Sequence, residues 1–483
     1  MELRRLGHLG LAGQVNRLAL TALLGLTILR LLMAHAVPLT PDEAYYTIWS
    51  QHLQADYYDD APMIAYWIHL GIVLVGRSAL GVRLVGPLAA ACGSVLLWRA
   101  GEDMFPGRQV GLTAAALLNA TLMLGAGSVL MTPDTPLLFF WTATLAAMAR
   151  FIASGQDRWL LVAGVLAGAA MLSKYTGLLL VAAIGLWLLT NPQGRAALRR
   201  PAAWAGLALA GLLCLPMIVW NIEYHEVSFL KQGGRVAQFA PGSALNHLGE
   251  LIGGQMGLAT PLIFALMAVG VWRAARGGPA GRLLAWLVIV PGALFIEHVL
   301  SGRVQANWPA ILYPAAALAA ASCYAGRHTL IGLALASGLA VTLLVYGQVI
   351  YGVLPIPPQR DPVALQLAGW SRLAHTVANR LSAENADYVA ADDYATAAEL
   401  AWHMPPDTVI LVHGGRWAYF GLPVARDLTD RAGLLVQKSD RPPPAFPALP
   451  AGDAQRLKFG VPVARYHLFR VSLPAPAYVL KAP

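Results

Sequence analysis

Charged residues and cysteines are scarce in this 483-residue sequence. Only 12% of the residues are Asp, Glu, Lys or Arg, whereas ordinary soluble domains contain about 25%. Together with 57% hydrophobic residues, this composition argues against a soluble enzyme and against a disordered or fibrous chain. The three cysteines lie far apart within apolar runs, so no disulfide framework or zinc-site spacing is visible.

Signatures of several other functions are also missing. The sequence has no phosphate-binding glycine loop, no nucleophile elbow and no pair of His residues at metal-ligand spacing. These absences argue against an ATP-driven pump and a serine hydrolase. The net charge of +9 does not indicate nucleic-acid binding, because the Lys and Arg residues lie between apolar runs and form no stripe.

Long apolar runs are what the sequence does contain. A helix needs about 20 apolar residues to cross a bilayer, and runs near this length recur along the first three quarters of the chain. We therefore predict a polytopic α-helical membrane protein with about 11 transmembrane helices. The predicted spans are 15–36, 84–101, 110–128, 136–153, 159–173, 176–190, 203–220, 254–272, 283–299, 309–325 and 329–352.

The distribution of charge predicts the orientation of these spans. Basic residues such as Arg99, Arg108 and Arg150 are concentrated in loops that share a side with the N-terminus. Cytoplasmic loops are enriched in Lys and Arg, so the N-terminus is predicted to be cytoplasmic. An odd number of spans then places the C-terminus outside, which in a bacterial inner membrane is the periplasm.

Two domains are predicted from a change in composition after the last span. Residues 1–352 form the membrane domain, which includes a long first outer loop at 37–83, and a proline-rich linker follows at 354–358. Residues 353–483 are predicted to form a small periplasmic α/β domain. Its predicted helices are Pro362–Leu381 and Tyr394–Trp402, and its predicted strands are Asp387–Ala391, Thr408–His413, Leu457–Ala464 and Tyr466–Leu473.

The first outer loop is rich in carboxylates and aromatic rings. Its segment Thr40-Pro41-Asp42-Glu43 fits a capping box, in which Thr40 caps the helix and Glu43 reaches back to it. Glu43 is therefore expected to have a structural role. The helix Asp42–Leu53 is predicted to lie in the membrane interface, anchored by Tyr and Trp side chains.

Asp42 has a counterpart in the second outer loop. Thr132-Pro133-Asp134 repeats the order of a capping threonine, a first-turn proline and a first-turn aspartate. The positive end of a helix favours an ionised carboxylate. A pair of such carboxylates at one membrane face can orient a hydroxyl group, accept its proton or hold a divalent ion. Spacing alone does not show whether Asp42 and Asp134 meet in space.

Cations on the outer face are candidates for contact with a phosphate-linked substrate. Lys174 lies between two short spans, where an ionisable residue indicates either a functional site or a buried ion pair. Arg303 suits phosphate contacts, although pairing with Glu297 or with lipid headgroups is the structural alternative. Lys231 and Arg235 complete this set. Arg416 and the His residues of the C-terminal segment are expected to be ordinary surface or core groups.

Five segments together resemble a known family. They are "PLTPDEAYYTIWSQHL…YYDDAPMIAYWI", "GVRLVGPL", "LMTPDTPLLFFWTATL", "LSKYTGLLL" and "GRVQANWPA". In this order they look like the bacterial members of the dolichyl-phosphate-mannose–protein mannosyltransferase-like family, which includes the lipid A aminoarabinose and galacturonic acid transferases. The resemblance covers about residues 15–325, and the C-terminal segment matches more loosely.

The resemblance implies a glycosyltransferase C (GT-C) fold and a reaction at the outer face of the inner membrane. A monosaccharide would pass from a polyprenyl (undecaprenyl) phosphate donor to lipid A, another lipid or a surface glycan, with inversion. Asp42 and Asp134 match the family's carboxylates, and Lys174 and Arg303 match positions near the donor phosphate or its sugar. The site is further expected to include the donor-binding candidates Lys231 and Arg235, the first-loop residues Glu43, Tyr45, Tyr46, Tyr58, Asp59 and Asp60, and the pair Asn307 and Trp308.

One departure from the family pattern concerns Asp60. Related sequences usually have Asp-His-Pro-Pro or Glu-Lys-Pro where this chain has Asp59-Asp60-Ala61-Pro62. An acidic Asp60 would repel the donor phosphate that the usual basic residue approaches. Four explanations stay open: another cation replaces it, a divalent metal held by Asp42, Asp134 and Asp60 bridges to the phosphate, the donor differs, or the activity is lost. No other cofactor is expected.

Rival functions lead to different expectations. A protein O-glycosyltransferase would use the same site on a protein hydroxyl group. A transporter or lipid flippase predicts internal pseudo-symmetry and charges near the bilayer midplane, whereas the sequence shows no repeat and its charges cluster at the outer ends of the spans. A lipid-binding scaffold without activity would fit the Asp60 departure. The expected partners are the donor, the acceptor and membrane lipids, with a monomer favoured and no nucleic acid.

Overall fold

The computed structural model describes residues 2–234, 241–428, 431–474 and 476–481. Its first three quarters are helical. The helices of this part are α1 (Glu2–Ala36), α2 (Pro41–Gln51), α3 (Met63–Val75), α4 (Ala79–Arg83), α5 (Val85–Met104), α6 (Val110–Ala120), α7 (Leu122–Gly125), α8 (Asp134–Ser154), α9 (Arg158–Ser173), α10 (Leu178–Thr190), α11 (Pro192–Leu198), α12 (Pro201–Glu223), α13 (Val227–Gly234), α14 (Ala244–Ala259), α15 (Pro261–Ala274), α16 (Pro279–His298), α17 (Tyr313–Tyr324) and α18 (His328–Tyr351).

Six helical segments of the described chain are long and apolar enough to cross a membrane. They lie at Gln14–Ala36, Ala79–Met104, Asp134–Ser154, Pro201–Glu223, Pro279–His298 and His328–Tyr351. Three further pairs of helices pass the same test together but are bent by more than 40° at the break between them, so the number is nine if each bent pair is counted as one span. The predicted count of 11 spans therefore stays a prediction.

The predicted span 254–272 is wrong as a continuous helix. The chain bends by 106° between α14 and α15, at Thr260, whose φ of 68° lies in the left-handed region. Pro261 then begins α15. At this position its missing N–H loses no hydrogen bond within the helix. The predicted span 110–128 is likewise broken, with a bend of 74° between α6 and the segment Leu122–Val129.

Glycines allow the helices that carry the site to pack closely. A Cβ atom added to Gly164 on α9 would lie 2.1 Å from the carbonyl oxygen of Gly206 on α12. The backbones of α9 and α12 thus touch, as small residues permit in membrane helices. Gly168, further along α9 towards Lys174, also lies close to the backbone of Ala210 on α12.

The C-terminal segment forms a six-stranded sheet flanked by helices. Its strand order is β4-β5-β3-β1-β2-β6, with β1 parallel to β2 and β3 and the other pairs antiparallel. The bounds are α19 (Pro362–Leu367), α20 (Trp370–Ala383), β1 (Tyr388–Ala391), α21 (Tyr394–His403), β2 (Val409–His413), β3 (Gly433–Lys438), β4 (Ala448–Lys458), β5 (Val461–Val471) and β6 (Ala477–Lys481).

Two element predictions in this segment are wrong. The predicted helix Pro362–Leu381 is broken between α19 and α20, where Gly369 adopts a φ of 80°. The predicted strand Leu457–Ala464 contains a turn at Phe459 and Gly460, both with positive φ, which joins β4 to β5. Strands β3 and β6 were not predicted.

The sheet domain packs directly on the first outer loop. Helix α21 lies against α2, and one apolar cluster includes Tyr45 and Trp49 of α2 together with Leu400 and Phe420 of the C-terminal segment. Packed aromatic rings such as those of Tyr45, Trp49 and Phe420 add favourable contacts beyond the apolar area that they bury. The elements after residue 352 therefore help to shape the surface around α2.

Candidate functional site

Glu43 anchors the start of α2. Its side chain accepts hydrogen bonds from the backbone N–H and the hydroxyl of Thr40, and the Thr40 hydroxyl accepts from the Glu43 N–H. The predicted capping box is thus confirmed. Glu43 also forms a fully buried ion pair with Arg83 at 2.6 Å and accepts a hydrogen bond from the Met131 N–H. Glu43 was expected among the first-loop residues of the site. It has a structural role instead and does not line the cavity described below.

Asp42 directly precedes Glu43 in the first turn of α2, and its carboxylate has different partners. Its carboxylate accepts a hydrogen bond of 3.0 Å from the Tyr394 hydroxyl at the start of α21. Burial raises the pKa of Asp42 above its usual value, and the Tyr394 hydrogen bond and nearby Arg416 oppose this rise. Tyr394 and Arg416 thus favour the ionised form of the carboxylate.

Asp134 begins α8 and is held on both sides. One carboxylate oxygen pairs with the Lys174 ammonium at 2.7 Å, and the other accepts a hydrogen bond of 2.6 Å from the Asn307 amide. Lys174 therefore forms an ion pair, which is one of the two roles that the sequence left open for it. The predicted cap by Thr132 is wrong, because the backbone N–H of Thr132 instead donates to the Thr135 hydroxyl.

Asp42 and Asp134 line one cavity of about 340 Å³. Asn307 and Thr132 also lie at its polar end. The rest of the wall is largely apolar and comes mainly from α5, the α6–α7 segment and α8. The apolar or small lining residues include Gly86, Ala89, Ala90, Gly93, Leu118, Met123, Leu124, Leu138 and Phe139. Ligand sites of this size typically combine such apolar walls with a few convergent polar groups.

Asp59 forms a second charged cluster. Its carboxylate accepts a hydrogen bond of 2.5 Å from the Tyr45 hydroxyl, pairs with the Lys231 ammonium, and lies 3.4 Å from the Arg416 guanidinium. The Arg416 guanidinium in turn lies 4.1 Å from the ring centroid of Tyr394. This chain of contacts connects Lys231 to the surroundings of Asp42.

Tyr394 and Arg416 contact carboxylates of the first outer loop, and the sequence did not reveal these contacts. Arg416 was expected to be an ordinary surface or core group, and in the structure it pairs with Asp59 of the first outer loop. No spacing signal connects residues so distant in the chain. An arginine beside aromatic residues, as in Arg416-Trp417, was the one available hint.

The remaining first-loop residues lie around these two clusters. The Tyr58 ring stacks on the Tyr419 ring with centroids 5.2 Å apart, and Tyr46 packs edge-on against Trp49. Asp60 accepts a hydrogen bond of 3.0 Å from the backbone N–H of Ala61, which starts the turn into α3. Trp308 lies beside the Asp134 pair, with its ring centroid 5.7 Å from the Lys174 ammonium.

Two of the predicted donor-binding cations are Arg303 and Arg235. Arg303 forms an exposed ion pair with Glu250 at 2.8 Å, so the suggested partner Glu297 is wrong, and it is not among the residues that line the cavity. Arg235 lies outside the described residues. In the described part of the chain, no group of three or more His, Cys, Asp or Glu residues is arranged to hold a metal ion, so Asp42, Asp134 and Asp60 do not form such a group.

Asp56 is a buried carboxyl group in the loop that follows α2. It accepts hydrogen bonds from the Tyr175 hydroxyl at 2.5 Å and from the Asn221 amide. Burial raises its pKa to about 7. It connects the first outer loop to the ends of α9 and α12.

The shifted pKa of Asp56 predicts a pH-dependent stability. Because the folded-state pKa is raised, ionisation opposes folding, so this group lowers the free energy of unfolding as the pH rises from about 4 through about 7. Asp56→Asn should remove this dependence, so the melting temperature should fall less between pH 5 and pH 8 than in the wild type. Thermal unfolding in detergent measures this, and equal slopes would contradict it.

Comparison with known proteins shows which proteins this chain resembles. Residues 59–220 match the family model described as dolichyl-phosphate-mannose-protein mannosyltransferase. The lipid A galacturonosyltransferase RgtD of Rhizobium johnstonii is 30% identical over 310 residues, which are 63% of this chain and 65% of RgtD. The match therefore spans slightly less than two thirds of that relative.

Solved structures share the fold. ArnT from Cupriavidus metallidurans in the apo state superposes with a TM-score of 0.64 at 16% identity, over 95% of this chain and 98% of ArnT. The structure of the same protein bound to undecaprenyl phosphate gives 0.63 at 15% identity, over 96% and 98% of the two chains. The family resemblance and the polytopic GT-C fold that the sequence predicted are thus confirmed.

Proposed function

We propose that this chain, which shares the GT-C fold and the family resemblance just described, is a polyprenyl-phosphate-sugar-dependent glycosyltransferase. It would transfer a monosaccharide from an undecaprenyl phosphate donor to lipid A, another lipid or a surface glycan on the periplasmic side. The observation that carries this proposal is that Asp42 and Asp134 line one cavity with a largely apolar wall. The similarity to RgtD and ArnT supports the donor and acceptor classes.

The proposed reaction is a single displacement with inversion at the anomeric carbon. The acceptor hydroxyl oxygen forms the new bond to this carbon, and the bond from the carbon to the phosphate oxygen breaks. The electron pair leaves with the polyprenyl phosphate, and the hydroxyl proton passes to Asp42. A positioned carboxylate that lines the cavity is suited to this general-base role, because it lies within reach of a bound acceptor hydroxyl group.

Asp134, Lys174 and Asn307 would orient the donor. The Lys174 ammonium has three N–H donors, of which one is directed to Asp134. A cation near the breaking bond stabilises the negative charge that develops on the phosphate. Asp134 would hold this ammonium in place, and the apolar wall of the cavity would contact the prenyl chain.

Lys231 and Arg416 support one explanation for the acidic Asp60. Both cations pair with Asp59, the neighbour of Asp60 in the chain, so two positive charges lie close to the position where related sequences carry one. We therefore favour replacement of the usual basic residue by another cation over a change of donor or loss of activity. Arg416 would then come from the C-terminal segment, outside the motif itself.

Mass spectrometry of lipid and surface-glycan extracts tests the proposed function. Extracts would come from a strain that lacks the gene and from the same strain carrying the wild-type gene. A product heavier by one sugar that returns only with the wild-type gene would confirm the transferase and identify both sugar and acceptor. A sugar found on protein would indicate O-glycosylation, and identical extracts with the protein well expressed would contradict transferase activity.

Tyr394→Phe is expected to shift the pH dependence of transfer. The Tyr394 hydrogen bond lowers the pKa of Asp42, so its loss raises that pKa and leaves less of the base ionised at low pH. The acid limb of the pH–rate profile should therefore move to higher pH, while the rate at high pH changes less. Tyr351→Phe is the matched control, because Tyr351 is 75% exposed at the end of α18. Superimposable profiles for wild type and Tyr394→Phe would contradict this role.

A further inference from the structure

The hairpin that joins β4 to β5 carries an exposed aromatic residue at its tip. Lys458 pairs with Val461 across the two strands, so only Phe459 and Gly460 form the connecting turn. Both residues have a positive φ, 50° and 82° respectively, as a two-residue type I′ turn requires. Phe459 is 75% exposed, so it contributes little to the core of the sheet domain.

Phe459 is a poor choice for this turn if only the stability of the fold matters. The first position of such a turn favours Asn, Asp or Gly, whereas a bulky residue with a positive φ strains the backbone. Strained residues are concentrated where a side chain has a function beyond the fold. The exposed and strained ring of Phe459 therefore indicates a contact with a partner other than the chain itself.

The tip of the hairpin lies where α18 ends. Helix α18 is one of the segments that are long and apolar enough to cross a membrane, and its last residue is Tyr351. A Cβ atom added to Gly352, the next residue, would lie 2.9 Å from the Phe459 ring. The ring is therefore adjacent to the point at which the chain leaves this apolar span.

A buried polar network holds the hairpin at this position. The Asp361 carboxylate accepts a hydrogen bond of 2.9 Å from the Gln348 amide of α18 and one of 2.8 Å from the Lys458 ammonium at the end of β4. Asp361 and Gln348 are both buried. Hydrogen bonds that involve charged groups are stronger than neutral ones, so this network keeps the hairpin next to the end of the helix.

The surface around the tip is apolar and adjoins the exposed side of α18. Val353 and Ile356, which follow the helix, and Val461, which follows the turn, are all exposed. Leu343 on α18 is exposed as well, as expected for a side chain that faces lipid. Exposed apolar patches mark contacts with proteins or membranes. Because this patch begins at the end of a membrane-crossing helix, the partner that it fits is the lipid of the adjacent leaflet.

We propose that Phe459 inserts into the lipid leaflet at which α18 ends, and that the β4–β5 hairpin thereby anchors the C-terminal sheet domain to the membrane. The apolar ring leaves water and contacts the acyl chains near the headgroups. The sheet domain is then attached at two places, to α2 through α21 and to lipid through the hairpin. The anchor is separate from the proposed glycosyltransferase activity, because neither Phe459 nor Val461 lines the cavity that contains Asp42 and Asp134.

Spin labels on the full-length protein in nanodiscs of phosphatidylethanolamine and phosphatidylglycerol test the proposal. The native cysteines are first replaced by alanine; they are Cys92, Cys214 and Cys323. A label at Val461→Cys, close to the intact Phe459, is then exposed to oxygen, which concentrates in lipid, and to a nickel complex that stays in water. The ratio of the oxygen to the nickel collision rate should approach the ratio measured for a label at Leu343→Cys on α18.

Leu449→Cys is the matched control for the position of the label. Leu449 is an exposed apolar residue near the other end of β4, about 30 Å away along the strand. A label there should show the low ratio of a side chain in water. Equal ratios at Val461→Cys and Leu449→Cys would overturn the proposal.

Phe459→Asn tests the ring itself. Asn tolerates a positive φ, so the turn and the fold should be retained while the apolar side chain is lost. The ratio at Val461→Cys should then fall towards the value at Leu449→Cys, whereas Leu449→Asn should leave it unchanged. A ratio at Val461→Cys that Phe459→Asn does not lower would overturn the role of the ring.

A further outcome concerns a different partner for the same patch. A label at Val461→Cys that is protected from both oxygen and nickel, and whose spectrum shows dipolar broadening, would indicate contact between two copies of this chain and would overturn the lipid contact. Every measurement is made without a turnover assay, so the result does not depend on the proposed function.

Discussion

Asp42→Asn is expected to lower the rate of sugar transfer by about 10²- to 10⁴-fold, the range that a positioned general base contributes. The amide has nearly the shape of the carboxylate and can still accept the Tyr394 hydrogen bond, but it cannot accept the proton of the acceptor hydroxyl. The binding of undecaprenyl phosphate should change little, since Asp134, Lys174 and the apolar wall remain. Turnover of purified enzyme and the affinity for undecaprenyl phosphate measure the two effects.

A surface aspartate supplies the control for this substitution. Asp453 is exposed on β4 and pairs with His467 on the neighbouring strand, so Asp453→Asn should leave turnover unchanged. Both variants should unfold at the temperature of the wild type, because neither carboxylate belongs to a buried ion pair. Wild-type turnover in Asp42→Asn would move the base to another residue.

Arg83→Met is expected to cause the largest loss of stability. The Arg83 side chain is fully buried and pairs with the equally buried Glu43, and it also donates to the backbone carbonyls of Val37 and Pro38 at 2.6 and 2.8 Å. Removing one partner of a buried ion pair leaves an uncompensated charge and costs about 3–5 kcal/mol. Thermal and denaturant unfolding in detergent measure this loss.

A double variant and a surface pair complete this experiment. Glu43→Gln combined with Arg83→Met removes both charges, so it should recover part of the stability lost in the single variant. Arg150→Met breaks an ion pair with Asp103 in which Arg150 is half exposed, and exposed pairs contribute at most about 1 kcal/mol. Equal effects of Arg83→Met and Arg150→Met would contradict the structural role assigned to the Glu43–Arg83 pair.

Local signals in the sequence predicted the parts of the site that depend on neighbouring residues. The capping box of Thr40 and Glu43 was predictable, because both partners lie within one helix turn. The same logic failed at Thr132, since Pro133 and the Thr135 hydroxyl start α8 in another way. Helix breaks at Thr260 and Gly369 were missed because each depends on a single residue with positive φ, which hydrophobic periodicity does not reveal.

Contacts between segments that lie far apart in the chain could not be predicted from the sequence. Asp42 and Asp134 could be identified as similar residues, yet only the packing of α2 against the membrane helices brings them to one cavity. The partnership of Asp42 with Tyr394 and of Asp59 with Arg416 depends on how the C-terminal sheet packs on α2. No periodicity or motif describes this interface, and so the contact of Arg416 with Asp59 could not be predicted.

The hydrogen bond from Tyr394 to Asp42 also has a consequence for the biogenesis of the protein. Ribosomes make the chain from its N-terminus, and domains generally fold in that order, so Asp42 is inserted early and Tyr394 is made after helices α1 to α18. A nascent molecule therefore has most of its cavity lining before Asp42 receives this hydrogen bond, since Gln366 is the one described lining residue that follows α18. Under the proposed function, the base would be oriented only after the C-terminal sheet has folded on α2, so that a donor lipid bound earlier would not be cleaved prematurely.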